Sequence, residues 1–127
     1  MIILYTNHAA KQMFSRNIST QEVEYILVNG ETIMDYPDDK PFPSKLLYCK
    51  INSRPLHVVY SLDVETSTKI VITAYEPSLE IWENDFKTRK FLYATSRFAV
   101  YEFSSAKGTF TVDFCLGPDG TWRLMRF

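Results

Sequence analysis

The side chains best equipped for chemistry fall in one stretch of the chain: Tyr48, Lys50, His57 and Tyr75. An imidazole titrates near neutral pH and can take up or release a proton. A lysine ammonium can hold an anion, and a tyrosine can donate a hydrogen bond or stack on a flat ring. These residues lie in three β-rich runs, 46–52, 55–62 and 68–76, separated by two short turn segments. That is the pattern of an antiparallel meander. Pairing Asn52 with Pro55 predicts Lys50 opposite His57 and Tyr48 opposite Val59. Pairing Leu62 with Thr68 predicts His57 opposite Thr73 and diagonal to Tyr75. Because side chains alternate along a strand, one face carries Leu47, Cys49, Ile51, Leu56, Val58, Tyr60, Leu62, Ile70, Ile72 and Ala74. The other gathers Tyr48, Lys50, His57, Val59, Ser61, Lys69, Val71, Thr73 and Tyr75 into a polar patch, which a slip of one residue would scatter.

Helices must cover the apolar face, and the N-terminal third supplies them. Thr6 or Asn7 can cap a helix over about 7–15, with His8 in its first turn. Ser19 and Glu22 have the spacing of a capping box, which starts a second helix over about 20–29 with Val23, Ile26 and Leu27 on one side. Gly30 is placed to end it in a left-handed conformation. A strand follows over 31–36, then a proline-rich turn. Pro77 precedes a predicted short helix over 78–86 with Leu79, Trp82 and Phe86 on one side. Strand-like runs at 97–103, 109–116 and 121–127 complete the chain. The expected organisation is a domain over 1–90 and a C-terminal β-meander over 91–127, packed on the same domain.

The chain has 127 residues and net charge −1, with 46% hydrophobic and 15% aromatic residues. This suits one globular domain with a real core. Residues 1–90 carry 10 basic and 12 acidic groups and the rest 4 and 3, so any binding of nucleic acid must rest on a local patch. No apolar run approaches a membrane span and the first residues do not read as a signal peptide. A cytoplasmic protein is expected. Two cysteines without ligand spacing and two histidines predict no metal site.

Several segments resemble the small bacterial domain family DUF4258: Asn7, His8 and Ala9; Met13; Arg16 through Ser19; Val23; Leu56 through Val59; Ile72 through Pro77; and Trp82, Phe86 and Arg89. The resemblance spans about residues 4–90. It departs from the family pattern at Gln12, where an arginine is common, and beyond Arg89, where the family domain usually stops. The resemblance implies a RelE/ParE-like α+β fold, an antiparallel sheet with N-terminal helices on one face, here with extra C-terminal strands. It further implies the toxin of a toxin–antitoxin pair, a metal-independent ribonuclease with RNA as substrate, an antitoxin protein as partner and no cofactor. Cleavage of RNA without a metal needs a base for the 2′-hydroxyl, an acid for the leaving oxygen and a cation for the phosphorane. His57 and His8 are the candidate base and acid, with Tyr75 as donor or stacking ring. Lys50, Arg16 and Arg89 are candidates to hold the phosphate, and Tyr48 to border the substrate. Arg54 and Lys69, beside turns, read as solvated.

A plainer set of roles fits the same residues. His57 can be a strand residue bonded to Thr73 or Tyr75, His8 a helix-start residue, and Arg16 the partner of Glu22 or Asp85. On that reading the protein is an inert binding module, or a small self-associating protein, acting through protein–protein contacts.

Overall fold

Local signals start both helices. In the computed structural model, which describes residues 2–90 and the backbone strands at 98–105, 108–116 and 122–124, the Thr6 side chain accepts from the Ala9 amide and opens α1 (Asn7–Arg16). Asn17 ends α1 in the left-handed region at φ 54°, its amide donating to Met13 and Phe14 carbonyls. Asparagine bears that conformation better than most residues. Ser19 and Glu22 form both bonds of the capping box at the head of α2 (Thr20–Asn29). Gly30 ends α2 but with φ −67°, an extended conformation rather than the expected left-handed one. Glycine is required there by crowding: a Cβ would lie 2.6 Å from the Ile26 carbonyl oxygen and 3.2 Å from Leu47 Cβ.

Backbone contacts divide the chain into two units, Met1–Pro77 and Ser78–Phe127. The first is an α+β unit. Its strands are β1 (Ile2–Tyr5), β2 (Glu31–Tyr36), β3 (Ser44–Ile51), β4 (Arg54–Asp63) and β5 (Thr68–Tyr75), in the order β1-β5-β4-β3-β2. The meander β3-β4-β5 and the β2–β3 pair are antiparallel. β1 runs parallel to β5, so the sheet is mixed rather than wholly antiparallel. β1 and β5 are far apart in sequence, so no tight hairpin obliges them to run in opposite directions.

The β3–β4 hairpin turns on Asn52 and Ser53, both with positive φ, 51° and 68°. Two such residues make the turn whose twist matches that of the strands. Ile51 therefore faces Arg54, Lys50 faces Pro55 and Tyr48 faces His57. The expected register is off by two residues, which leaves every side chain on its expected face. Between β4 and β5 the change is larger. Val59 pairs with Thr73 and Tyr60 with Val71, leaving Ile72 as an extra residue in a β-bulge. An odd insertion exchanges faces on one side of the bulge. Val71, not Ile70 or Ile72, consequently joins the core, while Ile70, Ile72 and Leu62 are half-buried.

The core under the helices joins Ala9, Met13, Ile18, Val23, Ile26 and Leu27 to Leu47, Leu56, Val58, Val71 and Ala74. Burying a side chain such as Leu56, which is 0% exposed, contributes roughly 1.5–3 kcal/mol.

In the second unit the expected helix over 78–86 is absent. Residues 79–88 form turns, closed by an antiparallel bridge between Trp82 and Arg89. The Asp85 carboxylate accepts from the Lys87 and Thr88 amides and the Thr88 hydroxyl. Asp favours such local turns over helix because its short side chain competes for the backbone. The strands β6 (Phe98–Ser105), β7 (Gly108–Leu116) and β8 (Trp122–Leu124) form a three-stranded antiparallel sheet of their own. No helix among the described residues is long and apolar enough to cross a membrane.

Candidate functional site

Tyr48, His57 and Tyr75 form a row across the three central strands. Tyr48 pairs with His57 and His57 with Tyr75 in the strand register. His57 Nδ1 and the Tyr75 hydroxyl share a hydrogen bond of 3.1 Å. The His57 ring meets both tyrosines edge to face, with centroids 5.8 Å from Tyr48 and 5.2 Å from Tyr75. The Ile72 bulge makes this row possible. Without the extra residue the register of Asp63 with Thr68 would bring Ala74 opposite His57 and turn Tyr75 toward the helices. Bulges commonly re-aim a side chain in this way.

The same bulge anchors His8. Thr6 caps α1 with its hydroxyl oxygen and also donates that hydroxyl to the Ile72 carbonyl at 3.0 Å. Its amide donates to the Val71 carbonyl at 3.1 Å. α1 thus leaves the sheet from the bulge, and two residues on His8 Nε2 lies 3.1 Å from the Thr73 hydroxyl. Two imidazoles therefore meet hydroxyls of the same strand, two positions apart. A hydroxyl can donate to or accept from a ring nitrogen, so each contact suits either tautomer of its histidine.

This site is withdrawn from solvent. His57 and Tyr75 are 0% exposed, Thr73 2% and His8 4%. Hydrogen-bonded polar groups such as these specify a unique packing as readily as they serve chemistry.

The cations are distributed differently from expectation. Lys50 is exposed, stands opposite Pro55 rather than His57, and lines a groove of about 390 Å³ with Gln21, Glu22, Tyr25, Ile51 and Asn52. Arg16 is half-buried at the end of α1. Arg89 belongs to the second unit, where its guanidinium lies 5.3 Å over the Trp82 ring and the residue is 4% exposed.

Arg54 and Lys69, read from sequence as solvated, both hold helix ends. Arg54 donates to the carbonyls of Arg16 and Asn17, the latter at 2.9 Å, and its Nε pairs with Glu76 at 3.3 Å. Lys69 Nζ donates to the Leu27 carbonyl at 3.3 Å and lies 5.2 Å over the Tyr60 ring. A cation at a helix C-terminus satisfies carbonyls that lack an intrahelical partner and opposes the negative end of the dipole. No local pattern marks this use, since donor and helix end lie 37 to 42 positions apart. Elsewhere, burial and then the Glu24 carboxylate push the Tyr5 phenol up from its ordinary value, keeping it protonated.

Compared with known proteins, residues 5–76 match the family described as Domain of unknown function (DUF4258), over more than half of the chain. No curated protein and no solved structure matches it.

Proposed function

The chain belongs to the DUF4258 family, and from that premise and the geometry around His57 we propose that it is the ribonuclease toxin of a toxin–antitoxin pair. In this reading its helices and sheet correspond to a RelE-like arrangement and it acts on RNA in the cytoplasm without a metal, held in check by an antitoxin protein. The observation that carries it is the convergence on β5 of two histidines, His57 on Tyr75 and His8 on Thr73. Cleavage needs two proton transfers. A base removes the 2′-hydroxyl proton, the 2′-oxygen attacks the adjacent phosphorus, and an acid protonates the departing 5′-oxygen, leaving a cyclic phosphate. One imidazole takes each role, and the Tyr75 hydroxyl passes a proton to or from His57. Lys50 and Arg16 offer positive charge for the phosphate oxygens.

A second reading rests on an observation of its own. A catalytic base must come within about 3 Å of the proton it takes, and His57 and Tyr75 are 0% exposed. Their burial favours a binding module in which the row stabilises the sheet and the protein acts through a partner.

Expression of wild type beside His57→Ala and His8→Ala, each shown to be folded by its thermal melt, decides between the two. The ribonuclease arrests growth, cleaves RNA and loses on the order of 10²-fold in rate without either histidine. If wild type is harmless and leaves RNA intact, or if both folded variants cleave like wild type, the ribonuclease assignment to these residues is wrong.

A further inference from the structure

We infer that the groove between α2 and the β3–β4 turn is a subsite for one unpaired nucleotide of RNA, with its base on Tyr25 and its phosphate on Lys50. This deepens the ribonuclease reading and rests on it for the identity of the polymer. The core-facing stripe of α2 is Val23, Ile26 and Leu27, which are buried, whereas Tyr25 is 53% exposed. An exposed aromatic in a concave site, lying off the core stripe, offers its ring to a planar partner. Lys50 lines the same groove and is exposed. Arg54 and Lys69, by contrast, are committed to helix-end carbonyls.

Glu22 also lines the groove, and a carboxylate would oppose a phosphate. Its Oε1 is turned to the head of α2, accepting from the Ser19 amide at 2.9 Å and the Ser19 hydroxyl at 3.1 Å. Gln21 and Asn52 add amides, each able to donate and accept along a base edge. Asn52 is held in place by the turn, at φ 51°. The groove volume of about 390 Å³ lies toward the small end of ligand sites, which suits one nucleotide rather than a folded segment. A stacking ring, a cation and amides at a base edge are the elements by which proteins hold single-stranded nucleic acid.

The test is fluorescence anisotropy with a short single-stranded oligonucleotide carrying 2′-O-methyl groups, which cannot supply the attacking 2′-hydroxyl. Wild type should bind it. Tyr25→Ala should weaken binding about tenfold, the effect of losing one base stack, and Tyr25→Trp should restore it. Lys50→Ala should weaken binding and flatten the slope of log affinity against log salt by about 0.7, with Lys50→Arg restoring the slope. A merely structural role for Lys50 would leave that slope unchanged. Failure of wild type to bind, or binding by folded Tyr25→Ala and Lys50→Ala equal to wild type, overturns the subsite. Cleavage of natural RNA is measured separately. Cleavage with variant-insensitive binding removes the subsite alone, and variant-sensitive binding without cleavage removes the ribonuclease reading alone.

Discussion

Replacing Arg54 with alanine should destabilise the N-terminal unit by about 2 kcal/mol, chiefly through the end of α1 rather than through its ion pair. The guanidinium spans three acceptors: the carbonyls of Arg16 and Asn17, and Glu76. Each bond to a helix-end carbonyl contributes, net of exchange with water, roughly 0.75 kcal/mol at this part-open corner. The Glu76 pair adds at most about 0.5 kcal/mol, since the two side chains are 27% and 49% exposed and the charges are screened. The net corresponds to a fall in Tm of roughly 6–10 °C for a chain of this length. Urea titration followed by far-UV circular dichroism measures it, with Glu76→Gln and the double variant completing a cycle. Glu76→Gln alone should cost under about 0.5 kcal/mol, and Arg54→Lys should recover only part of the loss because it lacks the planar fork. If Arg54→Ala lies within error of wild type, or if Glu76→Gln costs as much, the clamp on α1 is not what holds this corner.

Gly30→Ala reverses the usual sign of its class. With φ −67° the backbone suits alanine, which would ordinarily stabilise by about 0.4–1 kcal/mol. The new Cβ would lie 2.6 Å from the Ile26 carbonyl oxygen, so thermal melts should instead show a loss of about 1–3 kcal/mol from overpacking. The turn at Asp85 should loosen in acid. Hydrogen bonds from the Lys87 and Thr88 amides, then from the Thr88 hydroxyl, hold its carboxyl below the ordinary value of 3.8. A depressed folded value means that the contribution is complete well above 3.8 and is lost as the pH falls from there through the lower folded value. The protection factors of the Lys87 and Thr88 amides, each referenced to intrinsic exchange at the same pH, should fall in that window in wild type and be low at all pH in Asp85→Ala.

Both helices and the meander are legible in the sequence because their determinants are local. Thr6, the Ser19–Glu22 box and Asn17 act on backbone groups within a turn of themselves, and alternation marks the strands of the hairpin. Even a register error of two residues at Asn52 and Ser53 left the faces of β3 and β4 unchanged, because the strand period is two. The candidate row was legible to the same extent: alternation put Tyr48, His57 and Tyr75 on one face, with Tyr75 diagonal to His57. What set Tyr75 directly opposite His57 was the register with the Ile72 bulge, beside which Thr6, more than sixty positions away, bonds to Val71 and Ile72. The uses of Arg54 and Lys69 were hidden for the same reason. Their partners are carbonyls of helices distant in sequence, and a free carbonyl leaves no mark on residue type. Only the approach of α2 to the β3–β4 turn sets Tyr25 in a groove with Lys50. In residues 78–90 the apolar spacing of Leu79, Trp82 and Phe86 predicted a helix, but the Asp85 turn and the Trp82–Arg89 bridge prevailed. Sequence thus determined both helices and the β3–β4 hairpin, whose bonds close locally, although the equally local Asp85 turn was masked by the apolar spacing around it; tertiary structure decided which side chains meet, because those meetings depend on bonds between elements far apart in the chain.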